Sequence, residues 1–534
     1  MPLQCRPVNR ARTLYLINPA SDFPTYFSAE VFAGRGLTPA TLMADLPLAT
    51  LAALAGSHLA VTLCDENIQT VDFNADVDFV GITGKVSQRG RMLTIAGEFR
   101  RRGVTVLIGG PYASLDPESV RGHCDILVRG EIEAISDDLF SDLASGHWRD
   151  EYVGGSVDLA RCPVPAWGSY LNARALMGTV QTSRGCPFDC EFCDVIEYLG
   201  RKQRHKPINA VLTELDLLRR HGYRRVFIAD DNFTANRRQA RELLEAMRRW
   251  NDRQGADRMS FATQVSIDVS RDEELLDLCA AAGLTNVFVG IETPNEESLR
   301  EAHKRQNLHG DLVEQVHRFF AHGISVTGGL IVGFDADDRD IFERQYEFAM
   351  RSGIPLLSVG ALVAPVTTPL HARMAAAGRL VPDNPEVAAM PWTTNIIPAK
   401  MSRDELLSGL RWLCNKLYDP AAFGERLLRQ IDLMKREPGA VKGPSRRVHP
   451  VSRDARPVAD SLTLLRTLPA LGPAEAEMWA RVRRRLSERP EATAHVLAAV
   501  LQYVQARYMY EQCGIWDPAL AQSDSPVMAE RAAG

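Results

Sequence analysis

Three cysteines fall within one short run, Gly185-Cys186-Pro187-Phe188-Asp189-Cys190-Glu191-Phe192-Cys193. The spacing of Cys186, Cys190 and Cys193 is C-x3-C-x2-C. Three thiolates on one loop can ligate three irons of a 4Fe-4S cluster. The fourth iron is then left open, and an open iron can chelate a small molecule. Zinc is the competing reading. A structural zinc takes four ligands, usually from paired C-x2-C units. The chain has no second such pair. His205 could be a fourth ligand, but it follows a basic stretch rather than zinc-ribbon spacing. The remaining cysteines, Cys5, Cys64, Cys124, Cys162, Cys279, Cys414 and Cys513, are scattered and read as small buried apolar residues in a reducing, cytoplasmic setting.

The elements that must position this loop follow from patterning. The chain has 534 residues, 45% hydrophobic and 24% charged, with a formal net charge of −5. At roughly 100–200 residues per domain this length implies about three or four domains. The composition is that of an ordinary globular chain and excludes disordered, collagen-like and disulfide-scaffold classes. The negative charge argues against nucleic acid as the partner. No apolar run approaches the ~18–20 residues of a membrane-spanning helix.

Residues 1–150 alternate apolar strands with helices: strands at 13–18, 58–64, 77–83, 104–109 and 126–128, with helices at 46–56 and 91–102 between them. That order predicts a parallel α/β sheet, Rossmann-like or flavodoxin-like, with ligands beyond the carboxyl ends of its strands. Residues 151–175, with Cys162-Pro163-Val164-Pro165, read as a connector. The alternation resumes over 176–363, with strands at 178–182, 225–229, 260–265, 286–291, 325–332 and 356–362. Six βα units suggest a partial barrel, short of the full eight. Ser270 with Glu273, and Ser402 with Glu405, have the spacing of helix-opening capping boxes. Residues 364–437 read as a helical extension, 438–457 as a basic, proline-rich linker, and 458–534 as C-terminal helices.

With these features in place, the chain resembles a known family. C-x3-C-x2-C with an aromatic residue, Phe192, before the last cysteine is similar to the radical S-adenosylmethionine (SAM) enzymes. The runs Thr182–Pro207, Phe227–Phe233 (FIADDNF), Val287–Leu299 and Gly328–Asp337 resemble a subgroup with an N-terminal cobalamin-binding domain and a helical C-terminal extension, to which hopanoid C-2 methylases belong. The resemblance covers about residues 13–435. It implies that Cys186, Cys190 and Cys193 hold the cluster and that the open iron takes the amino and carboxylate groups of SAM. Phe192 would lie against the adenine. Asp230, Asp231 and Asn232 stand where the family usually has Gly-Gly-Glu, and would accept from the SAM amino group. Glu292 would accept from the ribose hydroxyls. Gln264 and Ser266 would point at the same mouth, and Gly328 and Gly329 would let the backbone approach the purine. Arg184 and Lys202 could pair with carboxylates of SAM or substrate.

The N-terminal domain departs from one family pattern. Many cobalamin domains carry Asp-x-His-x-x-Gly, whose His ligates cobalt from below. Here the corresponding loop is Asp65-Glu66-Asn67-Ile68-Gln69, and neither His58 nor His123 sits at the right strand end. Bound cobalamin is therefore expected to lack a His lower ligand. Asp65, Asn67, Thr83, Gly84, Ser87, Gly109, Gly110, Gly130 and Glu131 are the expected lining of its pocket, with glycines admitting the bulky ring.

The function implied is methyl transfer to an unactivated carbon of a lipid or secondary metabolite, through a 5′-deoxyadenosyl radical and methylcobalamin. The alternatives are a radical rearrangement, cyclisation or oxidation with the same cofactors, and an RNA- or protein-modifying radical enzyme. A flavodoxin or ferredoxin is the implied electron donor. No general acid/base dyad, nucleophile triad or phosphate loop stands out in the sequence.

Overall fold

The computed structural model describes residues 11–381, 390–435 and 456–523. The chain divides into two compact units, residues 1–22 with 45–172, and residues 23–44 with 173–534.

The first unit is built on a six-stranded, fully parallel sheet. Its strands are β1 (Thr13–Asn18), β3 (Ala60–Asp65), β4 (Phe79–Thr83), β5 (Thr105–Gly109), β6 (Ile126–Arg129) and β7 (Glu151–Val153). The spatial order is β3-β1-β4-β5-β6-β7. β1 lies between β3 and β4, which is the flavodoxin-type winding and places the topological switch point between β1 and β4. Val80, Ile82, Val106 and Ile108 are buried against Met92, Ile95, Ala96 and Phe99 of the helix Arg89–Arg101. The helix Leu46–Ala55 starts at Asp45, whose side chain accepts from the Leu48 amide. β7 lies in the stretch expected to be a connector. It is a three-residue edge strand, too short to carry an alternating signal.

The second unit contains the barrel. Its strands are β2 (Thr41–Met43), β8 (Ala175–Val180), β11 (Arg225–Ile228), β12 (Ser260–Val265), β13 (Leu284–Glu292), β14 (Ser325–Val332) and β15 (Leu356–Ala361). They form one parallel sheet in the order β15-β14-β13-β12-β11-β8-β2. The sheet is a partial barrel with β15 and β2 at its edges, seven strands rather than the six expected. The extra strand, β2, pairs with β8 from far along the chain, Thr41 opposite Ala175. Its segment, residues 23–44, also reaches the other edge, where the Tyr26 hydroxyl donates to the Val359 carbonyl at 3.4 Å. Short β9 (Ser183–Arg184) and β10 (Arg204–His205) pair antiparallel and bracket the cysteine loop. Along β12, Phe261, Thr263 and Val265 are buried under the outer helices, while Ser260, Ala262 and Gln264 face the less crowded interior.

Helices Arg403–Tyr418, Pro420–Leu433, Arg456–Thr467, Pro473–Glu488 and Thr493–Gln512 make up most of the C-terminal region. Ser402 and Glu405 form the expected capping box. The Ser270 box does not form. Residues Ile267–Arg271 are a 3-10 turn, and the helix starts at Glu273, capped by Asp272, whose carboxylate accepts from the Leu275 amide. Ser270 is buried instead, its hydroxyl donating to Gln315. Arg426 is fully buried and donates to the carbonyls of Ile354, Pro355, Leu417 and Ala422, tying two helices to the entry of β15. The basic stretch 438–457 lies outside the described residues except for its last two. Among the described residues no helix is long and apolar enough to cross a membrane.

Candidate active site

The cysteine loop leaves the carboxyl end of β8 and is latched there by Asp230, two residues past the end of the adjoining strand β11. Asp230 Oδ1 accepts from the amides of Thr182 (2.7 Å) and Ser183 (3.0 Å). Its Oδ2 accepts from the hydroxyls of the same two residues at 2.5 and 2.7 Å. Burial pushes the Asp230 carboxyl up, and these donors pull it back. Gly185 follows at φ +91°, where a Cβ would stand 2.8 Å from the Lys202 carbonyl oxygen and 2.9 Å from that of Gly200. Only glycine fits this crossing. The Cys186 amide donates to the Gly200 carbonyl, and the Cys193 amide to that of Cys190.

Cys190 is buried, and Cys186 and Cys193 are partly so. Burial raises the Cys186 thiol and pushes Cys193 up to about 12. Metal binding must therefore displace protons here. Among the described residues no three His, Cys, Asp or Glu side chains converge on a point one metal ion could fill. The three thiolates of a cluster bind different irons and need no common point. His205, the possible fourth zinc ligand, is held in β10, with burial lowering its pKa. Three soft donors on one loop fit a 4Fe-4S cluster.

A cation faces them that the sequence reading missed. Lys304 donates to Glu292 Oε1 at 2.6 Å, and its ammonium stands 5.9 Å from the Phe192 ring centroid. Burial pulls the Lys304 pKa down, but Glu292 and the Cys190 and Cys193 sulfurs outweigh it, so the ammonium is held charged. Glu292 ends β13 with φ +62°, beside a register shift against β14. The expected ribose acceptor is thus already half of an ion pair. Gln306 donates to the Cys190 sulfur at 3.6 Å.

The other expected SAM contacts divide. Asp231 accepts from the Gly185 amide at 3.0 Å, and burial raises its carboxyl to about 6. Asn232 donates to the Ser266 hydroxyl at 2.7 Å, and Gln264 donates to the Asp230 carbonyl at 3.3 Å, so both join the rim of the mouth. Phe192 packs edge-on against Phe334, 6.1 Å between centroids, within an apolar cluster that includes Leu370 and Met374. Gly329 faces Phe288 on the barrel interior, but a Cβ on Gly328 would meet Leu357 at 2.7 Å, on the packed outer face. Gly328 therefore serves strand packing rather than purine approach. Arg184 is bonded to Gln181, at 2.7 Å.

In the first unit the expected residues do gather at the carboxyl rim, but several are already committed. Asp65 is buried and accepts from Asn18, Asn67 and the Tyr170 hydroxyl at 3.1, 2.7 and 2.6 Å. Gln88 fills the switch point, donating to Asn18 at 2.8 Å. Gly84 and Gly109 pack against Gln88, Met92 and Val128, and Gly110 against Thr83. Gly130 (φ +75°) leaves 2.0 Å between its missing Cβ and the Gly154 carbonyl oxygen. Gly110 and Gly130 thus let the protein's own segments pass close by. Glu131 is buried and accepts from the Val157 amide. The histidines of this unit, His58, His123 and His147, precede β3, β6 and β7, so they lie at the amino rim of the sheet. Thr83 and Ser87 bring hydroxyls to the carboxyl rim, and among the described residues of this unit no His does.

Comparison with known proteins agrees with this geometry. The chain matches the radical SAM superfamily over residues 180–349 and a domain of unknown function over residues 368–513. It is 33% identical over 437 residues to an uncharacterized methyltransferase of Synechocystis, covering 79% of this chain and 78% of that protein. It is 33% identical over 353 residues to the hopanoid C-2 methylase of Rhodopseudomonas palustris, covering 65% of this chain and 67% of that protein. A solved radical SAM methyltransferase from Kitasatospora setae, with cobalamin and a 4Fe-4S cluster bound, shares the fold with TM-score 0.56 and 18% identity, over 74% of this chain and 84% of that one. The chain belongs to the radical SAM superfamily, in the group that includes hopanoid C-2 methylase.

Proposed function

We propose that this protein is a cobalamin-dependent radical SAM methyltransferase acting on an unactivated carbon of an apolar small molecule or lipid. The observation that carries the reading is the loop of Cys186, Cys190 and Cys193 at the carboxyl mouth of the partial barrel, with Asp231 and the Glu292–Lys304 pair around it. The same chain carries a flavodoxin-type unit, and its relatives with named activities include hopanoid and bacteriochlorophyllide methylases, beside one ring cyclase. When bound, the cluster with SAM supplies a carbon-centred radical, and the corrinoid carries the methyl group.

The protein's residues do the positioning. The three cysteines hold the cluster. Asp231 has one oxygen on the Gly185 amide, and its other oxygen would accept from the SAM ammonium. Glu292 serves the ribose, and Phe192 walls the adenine side. Phe288 on β13 and Phe27, 5.6 Å apart between ring centroids, give the barrel interior an apolar wall suited to a hydrocarbon substrate. The relative that methylates a hopanoid supports a lipid of that kind. A flavodoxin or ferredoxin in the cytoplasm supplies the electron.

The test is anoxic expression with cobalamin, followed by iron and corrinoid counts per chain. The next step is incubation of lipid extracts with SAM carrying a deuterated methyl group. About one corrinoid per cluster and a labelled methyl in the product are expected. A full cluster without corrinoid would remove methyl transfer from the reading and leave a plain radical SAM enzyme.

A further inference from the structure

Residue Glu191 lies between two cluster cysteines, and every polar group it owns is tied down. Its amide donates to the Ala302 carbonyl at 3.1 Å, and its carbonyl accepts from the Leu370 amide at 3.1 Å. Its carboxylate takes both arms of the Arg373 guanidinium, at 2.6 and 2.9 Å. Leu370 and Arg373 both belong to the helix Pro369–Ala376, which opens the C-terminal region of unknown function. Arg373 also donates to Asp335 at 2.5 Å and to Glu301 at 3.2 Å. Glu301 in turn accepts from the amides of Asp335 and Ala336, and Arg379 donates to the far oxygen of Asp335. One cation thus binds together three carboxylates from three chain segments. On the apolar side, Phe192 packs into a cluster with Leu370 and Met374 of the same helix.

We propose that Arg373 is a positioning residue for the cysteine loop, and that its helix, Pro369–Ala376, is a brace that holds the cluster site in register. The inference rests on the assignment of Cys186, Cys190 and Cys193 as cluster ligands. A bidentate guanidinium–carboxylate pair fixes orientation as well as distance. A loop whose middle residue is clamped this way cannot splay its flanking thiols when one iron bond opens. The network also has an asymmetry. Without the Glu191 charge, Arg373 still neutralises Asp335 and Glu301. Without the Arg373 charge, Asp335 keeps Arg379, but Glu191 and Glu301 lose the cation between them, and their repulsion pushes the loop outward.

The test compares holoenzyme of the wild type with Arg373→Gln, Glu191→Gln, the double variant and Arg373→Lys. The readouts are the rate of cluster bleaching by an iron chelator and the electron paramagnetic resonance signal of the reduced cluster. Arg373→Gln should bleach roughly tenfold faster than wild type, because a bidentate charged contact is lost. Glu191→Gln should bleach more slowly than Arg373→Gln. The double variant should be slower than Arg373→Gln, since it removes the repelling charge. Arg373→Lys keeps the charge without the fork and should fall between.

Arg489→Gln is the control. Arg489 is buried and donates to the Met434 carbonyl at 2.6 Å, so its loss weakens the C-terminal helices without touching the loop. It should bleach like wild type. Equal bleaching by wild type and folded Arg373→Gln, or losses that simply add in the double variant, would overturn the proposal. If Arg373→Gln does not fold, Glu191→Gln against Arg489→Gln decides it. A wild-type protein that takes up no cluster would instead overturn the ligand assignment itself.

Discussion

Replacing Asp230 separates a structural latch from a ligand contact. Two backbone amides and two hydroxyls converge on this carboxylate, which is 1% exposed. Alanine removes all four acceptor contacts. The hydroxyls of Thr182 and Ser183 can turn to other acceptors, but the two amides cannot. Each buried amide left unpaired costs about 1–3 kcal/mol. Against this, the variant no longer carries the desolvation cost that pushes this carboxyl up. A net loss of about 3 kcal/mol is expected for Asp230→Ala. Asp230→Asn keeps one oxygen for the amides and offers its NH2 to hydroxyls that can accept, so about 1 kcal/mol is expected. Asp231→Ala loses one bond, from the Gly185 amide, and should cost about 1 kcal/mol or less while weakening SAM binding. The assay pairs denaturant midpoints of the metal-free proteins with SAM titration of the cluster-loaded ones. An Asp230→Ala protein as stable as wild type but weak for SAM would refute the latch and restore Asp230 as a direct contact.

Cys190→Ala should lose the visible cluster absorption and most bound iron; a full cluster in that variant would move the ligand set. His495 Nδ1 shares a hydrogen bond with the Ser325 hydroxyl at 2.7 Å, and burial lowers its pKa to about 4. The folded state thus favours the neutral ring, a contribution complete above the unfolded pKa near 6.5 and lost as pH falls toward about 4. His495→Gln should flatten the stability profile across that window, and an unchanged slope would place the titration elsewhere. Gly130→Ala must place a Cβ 2.0 Å from the Gly154 carbonyl oxygen at a left-handed φ, and should destabilise the first unit by ~3 kcal/mol or more. Limited proteolysis should cut that unit and corrinoid binding should fall while iron is kept. Electron paramagnetic resonance of the protein loaded with cob(II)alamin should show no nitrogen splitting from a protein imidazole; its appearance would reveal a lower ligand from outside the first unit's carboxyl rim.

The periodic features were readable from residue order alone. Apolar strands bounded by glycines give both parallel sheets, and C-x3-C-x2-C marks the cluster loop because covalent spacing itself brings those thiols together. What escaped were partnerships between distant segments. Lys304 and Arg373 sit on no motif, and only the fold places them against Glu292 and Glu191. β2 has three residues, too few for a period, and is a strand because β8 offers it an edge. Asp230 and Asp231 are neighbours of one chemical type. Their different roles follow from which oxygens the Thr182–Ser183 turn consumes. Asp272 outcompeted Ser270 as a helix cap because Ser270 is drawn inward to Gln315. Gly130 must be glycine because backbone crosses backbone there, and Gly110 because the Thr83 hydroxyl stands where its Cβ would be.

The polypeptide passes between its two units three times, near residues 22, 44 and 172. No single cut releases either unit whole. A fragment starting at residue 173 would lack β2 and would bare the edge of β8, the strand that launches the cysteine loop. A fragment ending at residue 172 would carry an orphan β2 with no sheet to join. During synthesis β2 emerges about 130 residues ahead of its partner, so it must wait, unpaired, until β8 leaves the ribosome. Dissection of this enzyme therefore calls for circular permutation or paired fragments rather than truncation.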